Sequence, residues 1–131
     1  MTFRLLAPDE PPPVLACRPD GKSAFVIAVD HASRRIPKCL GTLGLAEQDL
    51  DRHIAWDIGA LEVALGASAA LDAPLVAQNY SRLVIDCNRR AGEATSIPTI
   101  SESTPIPGNM DLLDAERRFA ECGEMGKRGN G

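Results

Sequence analysis

Apolar residues occur along this chain in short groups that are separated by turn-forming residues. Residues 24–29, Ala-Phe-Val-Ile-Ala-Val, form a continuous apolar run, and a run of this length predicts a strand that is buried on both faces. Residues 75–77 and 82–85 are two further strand candidates on the same grounds. Residues 1–23 contain five prolines, so they predict an extended, proline-rich lead-in rather than a helix.

Between the first two predicted strands, apolar residues recur every three or four positions, which is typical of an amphipathic helix. The positions that carry this period are Leu50, Ile54, Ile58, Leu61 and Leu65. Two glycines weaken the pattern, so it predicts one helix, or two short helices that meet near residues 53–56 and end at residues 71–74.

The remaining pattern predicts a loop over 88–109, an amphipathic helix over 111–120 and a glycine-rich tail over 121–131. The order of strands and helices is typical of an α/β layered domain, which we place at residues 24–120.

Composition narrows the class of protein further. The chain has 131 residues, 44% of them hydrophobic and 24% charged, which fits one globular domain. A net charge of -4 disfavours binding to nucleic acid or to an anionic membrane surface. The N-terminus does not resemble a secretory signal, and the four cysteines form no Cys-x-x-Cys pair, so we expect a cytoplasmic protein with free thiols.

Polar side chains follow two of the predicted strands, where ligands bind in open α/β sheets. His31 follows the first strand, and a histidine there can bind a metal, serve as a base or only cap its own turn. Asn88 and Arg89 follow residues 82–85 and either clamp a carboxylate or belong to a structural network. Arg82 either points at the same crevice or anchors the sheet.

His53 and Asp57 lie four residues apart on the predicted helix, and residues with this spacing share a helix face. Both side chains could therefore reach one metal ion. An exposed, weakly coupled pair has the same spacing and is the alternative.

Three strings together resemble the N-formylglutamate amidohydrolase family. They are DHASRRIP at 30–37, HIAWDIGA at 53–60 and YSRLVIDCNR at 80–89. Order and spacing are kept from about residue 24 to about residue 120. The family is similar to the zinc carboxypeptidase and aspartoacylase group, so the resemblance implies a phosphorylase/hydrolase-like, three-layer α/β sandwich.

The resemblance implies a hydrolase that cleaves an N-acyl amino acid, such as N-formylglutamate to formate and glutamate in histidine degradation. It implies a metal-activated water, with zinc or another divalent cation as the cofactor. His31 would be the first metal ligand. The wider group has a glutamate where this chain has Arg34, so Asp57 is the second candidate ligand and His53 the runner-up.

Within the same resemblance, Asn88 and Arg89 match residues that hold the substrate carboxylate, and Arg82 is a further substrate-binding candidate. No catalytic base is identified. Members of the family are longer than this chain, so the resemblance implies an N-terminal portion of the enzyme. An inactive fragment and a non-catalytic module that binds a small carboxylate ligand are the alternatives, and a homo-oligomer is left open.

Overall fold

This computed structural model describes residues 5–90 and 92–110. These residues contain two sheets. The larger sheet contains the strands Val14–Cys17 (β1), Ile27–Val29 (β2) and Leu75–Gln78 (β3) in the order β1-β3-β2. β1 runs antiparallel to β3, and β2 runs parallel to it. The smaller sheet is a hairpin of Ile100–Ser101 (β4) and Thr104–Pro105 (β5).

Two α-helices lie between β2 and β3, as one version of the helical pattern predicts. They are Glu47–Leu50 (α1) and Ala60–Leu71 (α2). α2 starts after Gly59, whose φ of 84° lies in the left-handed region that glycine adopts without strain. It ends at Leu71, within the predicted stop. Short 3-10 helices occur at Lys38–Leu40 and Pro107–Asn109.

The first apolar core lies between α2 and one face of the larger sheet. Alternate strand residues point toward the helix, as the two-residue period of a strand requires. The buried members of this cluster are Ala32, Ala64, Leu75 and Ala77, with Leu15, Cys17, Ile27, Val29 and Leu61 packed around them. The described residues therefore form an α/β arrangement with one helical layer on a mixed sheet.

The second apolar core is built mainly from loops and turns. Its buried residues are Leu5, Leu43, Leu45, Leu50, Ala55, Leu83, Val84 and Ile106. It positions the segment 80–89, in which the polar residues of interest occur.

The prediction that 24–29 is a strand buried on both faces is wrong. Only Ile27–Val29 is a strand, and the side chains of Phe25 and Val26 are 71% and 66% exposed. Phe25 and Val26 precede the strand, and α2 packs on the face that carries Ile27 and Val29, whereas Ala28 on the opposite face is exposed.

The strand predicted over 82–85 is also wrong, because this segment forms turns. Ser81 directs the backbone there: its Oγ accepts the N–H of Leu83 at 3.1 Å, and its carbonyl accepts the N–H of Val84 at 3.0 Å. Leu83 and Val84 are nevertheless buried, in the second core. The apolar run therefore indicated burial correctly and secondary structure incorrectly.

The remaining predictions have mixed outcomes. β1 lies within the predicted lead-in 1–23 and pairs with β3, so this stretch contributes to the sheet. The predicted loop 88–109 contains the β4–β5 hairpin. The predicted helix 111–120 and tail 121–131 lie outside the described residues, and the division of the chain stays a prediction. No helix within residues 5–90 and 92–110 is long and apolar enough to cross a membrane.

Candidate active site

His31 lies at the carboxyl end of β2 and contacts two carboxylates. Its side chain is buried, and its Nε2 atom lies 2.8 Å from Oδ1 of Asp86. Its Nδ1 atom lies 3.3 Å from Oδ2 of Asp57. The backbone N–H of Asp57 also donates to the carbonyl of His31 at 2.9 Å. Three segments that are distant in sequence therefore meet at one imidazole ring.

Asp86 is the buried centre of this network, with a side chain that is 4% exposed. Besides His31, the backbone N–H of Asn88 donates to its Oδ1 at 3.0 Å, and Nη2 of Arg82 lies 3.3 Å from its Oδ2. Burial raises the pKa of Asp86, but these hydrogen bonds and the charges of His31 and Arg82 outweigh it and hold the pKa below its ordinary value. The carboxylate is therefore ionised at neutral pH.

The two nitrogens of His31 are not equivalent. A neutral imidazole has one N–H, so it can donate to only one of the two carboxylates, whereas an imidazolium can donate to both. The Nε2 contact with Asp86 is the shorter and the more buried. In the neutral ring, Nε2–H then donates to Asp86 and leaves the Nδ1 lone pair facing Asp57, whose side chain is 55% exposed.

The local backbone around Asp86 is fixed by side chains from several elements. Ser81 Oγ donates to the carbonyl of Ala55 at 2.7 Å, and Gln78 Nε2 donates to the carbonyl of Ile85 at 2.8 Å. The N–H of Asp86 donates to the carbonyl of Ser96 at 2.7 Å. These bonds hold the carboxylate in place without any strand at 82–85.

Comparison with known proteins identifies the family of this chain. The sequence model of the N-formylglutamate amidohydrolase family matches residues 23–123. The chain belongs to the N-formylglutamate amidohydrolase family. A gene product of Agrobacterium tumefaciens with a known crystal structure is 39% identical, with a TM-score of 0.85 over 89% of this chain and 47% of that one. This chain thus spans about half the length of that protein, and no match was found among curated proteins.

His31 and Asp57 are the two candidate metal ligands of this site. His31 Nδ1 and Asp57 present two suitable donors side by side, and a buried carboxylate behind a ligating histidine is a common supporting arrangement. A catalytic zinc usually has three protein ligands. Residues 5–90 and 92–110 contain no group of three or more His, Cys, Asp and Glu side chains that could hold a metal ion. The described residues therefore contain no complete zinc site, and metal binding by His31 and Asp57 stays a prediction.

His53 lies elsewhere. Its Nε2 atom is 3.1 Å from Oε2 of Glu102, and both side chains are more than half exposed. Residues 53–57 fall between α1 and α2 rather than on a helix, so the shared helix face predicted for His53 and Asp57 does not exist.

The three predicted substrate-binding residues occupy different environments. The side chain of Arg82 is 29% exposed and is held between Asp86 and Asp57, with Nη1 at 3.9 Å from Oδ1 of Asp57. Asn88 and Arg89 are exposed, and Nε of Arg89 lies 4.0 Å from Oδ2 of Asp86. Arg82 is thus part of the ionic network, whereas Asn88 and Arg89 lie at its solvent side.

Asp86 belongs to the polar cluster 86–90, for which the sequence predicts either a structural network or an anion clamp, but it is not among the individual residues predicted for the site. Its signal was a carboxylate placed directly after a buried apolar run, where an unpaired charge would be very costly. The pattern alone does not say which partner compensates that charge, because His31 lies 55 residues away in sequence.

Proposed function

We propose that this chain provides part of the active site of an amidohydrolase that cleaves N-acyl amino acids such as N-formylglutamate, releasing formate and glutamate. The observation that carries the proposal is the network in which Asp86 orients His31 toward Asp57, within a chain of the N-formylglutamate amidohydrolase family. The place in histidine degradation, the cytoplasmic location and the three-layer sandwich belong to the same proposal.

In this proposal, His31 through Nδ1 and Asp57 through its exposed carboxylate hold zinc or another divalent cation. The bound metal would polarise the acyl carbonyl and lower the pKa of a water molecule. Asp86 accepts a hydrogen bond from Nε2–H of His31, which keeps the Nδ1 lone pair available and fixes the plane of the ring. Asp86 is therefore a positioning residue rather than a ligand.

The substrate carboxylate would bind at Asn88 and Arg89, since both side chains are exposed beside the network. The backbone N–H of Asn88 is tied to Asp86, so the carboxylate that orients the imidazole also fixes this loop. Arg82 has two acidic neighbours, and its charge would first balance Asp57 and Asp86 and only secondarily attract an anion. In this proposal the binding partner of the site is a small N-acyl amino acid and not nucleic acid or a membrane.

A second candidate is a non-catalytic module that binds a small carboxylate ligand. It is favoured by the incomplete metal-ligand set within residues 5–90 and 92–110. Such a module would use Asn88 and Arg89 in the same way, but it would not turn over the substrate. The two candidates share a binding site and differ in chemistry.

Zinc titration of the purified chain, followed calorimetrically, tests the proposal. The two histidines provide a matched pair. We expect near-stoichiometric zinc in the unaltered chain and in His53→Ala, and loss of binding in His31→Ala. Equal zinc binding by both variants, or none by the unaltered chain, would overturn the assignment of the metal site.

A formate-release assay on N-formylglutamate then separates the two candidates. Turnover that disappears in His31→Ala supports the hydrolase. Stabilisation by the ligand without turnover, lost in Arg89→Ala, supports the binding module for this chain.

A further inference from the structure

A cavity of about 370 Å³ lies beside the loop that follows His31. Its walls are formed by residues 33–36, by residues 41–42 and by Glu47 and Leu50 of α1. No residue of the network around His31 lines this cavity, so it is separate from the candidate active site. Its volume falls at the lower end of the roughly 300–1,000 Å³ that is usual for small-molecule sites, so it suits a ligand of amino-acid size.

Hydrogen bonds hold the backbone of the cavity walls. Ser33 Oγ accepts the N–H of Arg35 at 3.1 Å, and the carbonyl of Arg35 accepts the N–H of Ser81 at 2.8 Å. In the second wall, the carbonyl of Thr42 accepts the N–H of Leu45 at 3.0 Å, just before α1. Walls that are already ordered reduce the entropic cost of binding a ligand.

Three charged side chains line the cavity, and only one of them is already paired. Arg34 forms an ion pair with Asp51. The guanidinium of Arg35 and the carboxylate of Glu47 make no hydrogen bond and no ion pair within residues 5–90 and 92–110, and they do not pair with each other. The cavity therefore offers one available cation and one available anion to a ligand.

This combination of charges selects among classes of ligand. A guanidinium binds a carboxylate through a fork of N–H donors, and Glu47 accepts hydrogen bonds from an ammonium group. A dicarboxylate or a phosphate would be repelled by Glu47, and a divalent cation would find a single carboxylate next to an arginine. A free α-amino acid carries both opposite charges close together and matches both side chains.

The apolar part of the cavity restricts the side chain of such a ligand. Leu50 is 6% exposed and Ile36 is half-buried, and both belong to the surface of the second core. They form an apolar wall next to the charged groups, and an aliphatic side chain would be removed from water against it.

We propose that the cavity at Arg35 and Glu47 binds a free aliphatic α-amino acid, whose carboxylate contacts Arg35 and whose ammonium group contacts Glu47. An N-acyl amino acid has no ammonium group, so this ligand differs from the substrate proposed above. The inference concerns binding at a second site and does not depend on the proposed reaction.

Ligand-observed NMR titration of the full chain with L-leucine tests the proposal. N-acetyl-L-leucine lacks the ammonium group and L-leucinamide lacks the carboxylate, so each analogue removes one of the two ionic contacts. We expect saturable binding of one L-leucine per chain, and affinities weaker by about tenfold or more for both analogues. No saturable binding of L-leucine, or an equal affinity for N-acetyl-L-leucine, would overturn the proposal.

The two neighbouring arginines provide a matched pair of variants. Arg35→Gln and Glu47→Gln each remove an unpaired charge, whereas Arg34→Gln removes a charge that Asp51 already balances. We expect the affinity for L-leucine to fall by about tenfold or more in the first two and to change by less than about twofold in Arg34→Gln. Equal losses in all three would contradict the assignment. Circular dichroism establishes that each variant folds, and the analogue series needs no variant.

Binding of L-leucine at the candidate active site is the remaining alternative. Arg89→Ala removes the arginine that we assign to the substrate carboxylate, and we expect it to leave the affinity for L-leucine unchanged. Loss of binding in Arg89→Ala together with full binding in Arg35→Gln would place the amino acid at the active site and overturn the proposal.

Discussion

The two apolar cores of this protein are stabilised in different ways. The core beneath α2 is regular: strand pairing and helix bonds satisfy the backbone, and its buried residues are small, with alanine at three of four positions. The core beneath the active site is irregular and contains larger residues such as Leu43, Leu83 and Ile106. Its backbone relies on side chains, among them Ser81, Ser96 and Asn109.

This difference explains where the site is located. Regular strands present backbone groups to one another, whereas a turn region needs polar side chains to satisfy its carbonyls and N–H groups. The same irregular region can hold a buried carboxylate, because neighbouring turns supply donors from several directions. We therefore expect single polar substitutions to cost more stability around the site than beneath α2.

The largest effect is expected for Asp86→Ala. This change leaves His31 and Arg82 without their shared buried partner, and breaking a buried ion pair typically costs about 3–5 kcal/mol of unfolding free energy. Urea denaturation monitored by circular dichroism measures the loss. The matched change Asp57→Ala removes a carboxylate that is 55% exposed, and we expect it to cost under about 1 kcal/mol. Similar losses in the two variants would contradict Asp86 as the centre of the network.

A smaller loss of unfolding free energy is expected when a hydrogen-bonding side chain is removed from either core. Asn109 Nδ2 donates to the carbonyls of Leu83 and Pro98, both at 2.7 Å. Ser68 Oγ in α2 donates to one carbonyl, that of Ala73, at 2.7 Å. We expect Asn109→Ala to cost about 2 kcal/mol and Ser68→Ala about 1 kcal/mol, at roughly 1 kcal/mol per bond. A larger loss in Ser68→Ala, measured in the same urea series, would reverse the proposed difference between the cores.

The smallest effect concerns pH. The pKa of Asp86 is lower in the folded protein than its ordinary value of 3.8. The ionised carboxylate therefore stabilises the fold fully above that ordinary value, and the contribution is lost as pH falls through the folded-state pKa. We expect the urea midpoint of unfolding, measured at a series of pH values, to fall less steeply below pH 3.8 in Asp86→Asn than in the unaltered chain. Parallel pH profiles would argue against a depressed pKa.

Much of the site could be anticipated from sequence. The family resemblance implies His31 and Asp57 as metal ligands, and the structure brings Nδ1 of His31 within 3.3 Å of Oδ2 of Asp57, in the segment before α2. Asn88 and Arg89 contact Asp86, the residue that holds His31: the N–H of Asn88 lies 3.0 Å and Nε of Arg89 lies 4.0 Å from its carboxylate oxygens. Whether these residues bind metal and substrate stays a prediction.

The sequence by itself determined the family, the end of α2 and the clustering of polar residues after apolar runs, because these depend on local order and spacing. Only the tertiary structure decided that 82–85 is a turn, that His53 contacts Glu102 and that Asp86 holds His31. The physical reason is that an apolar run indicates that its residues are buried but not which residues they contact, and their hydrogen-bond partners come from distant segments. Asn109 and Ser81, each bonded to a carbonyl 26 residues away, show how such contacts override the local preference for a strand.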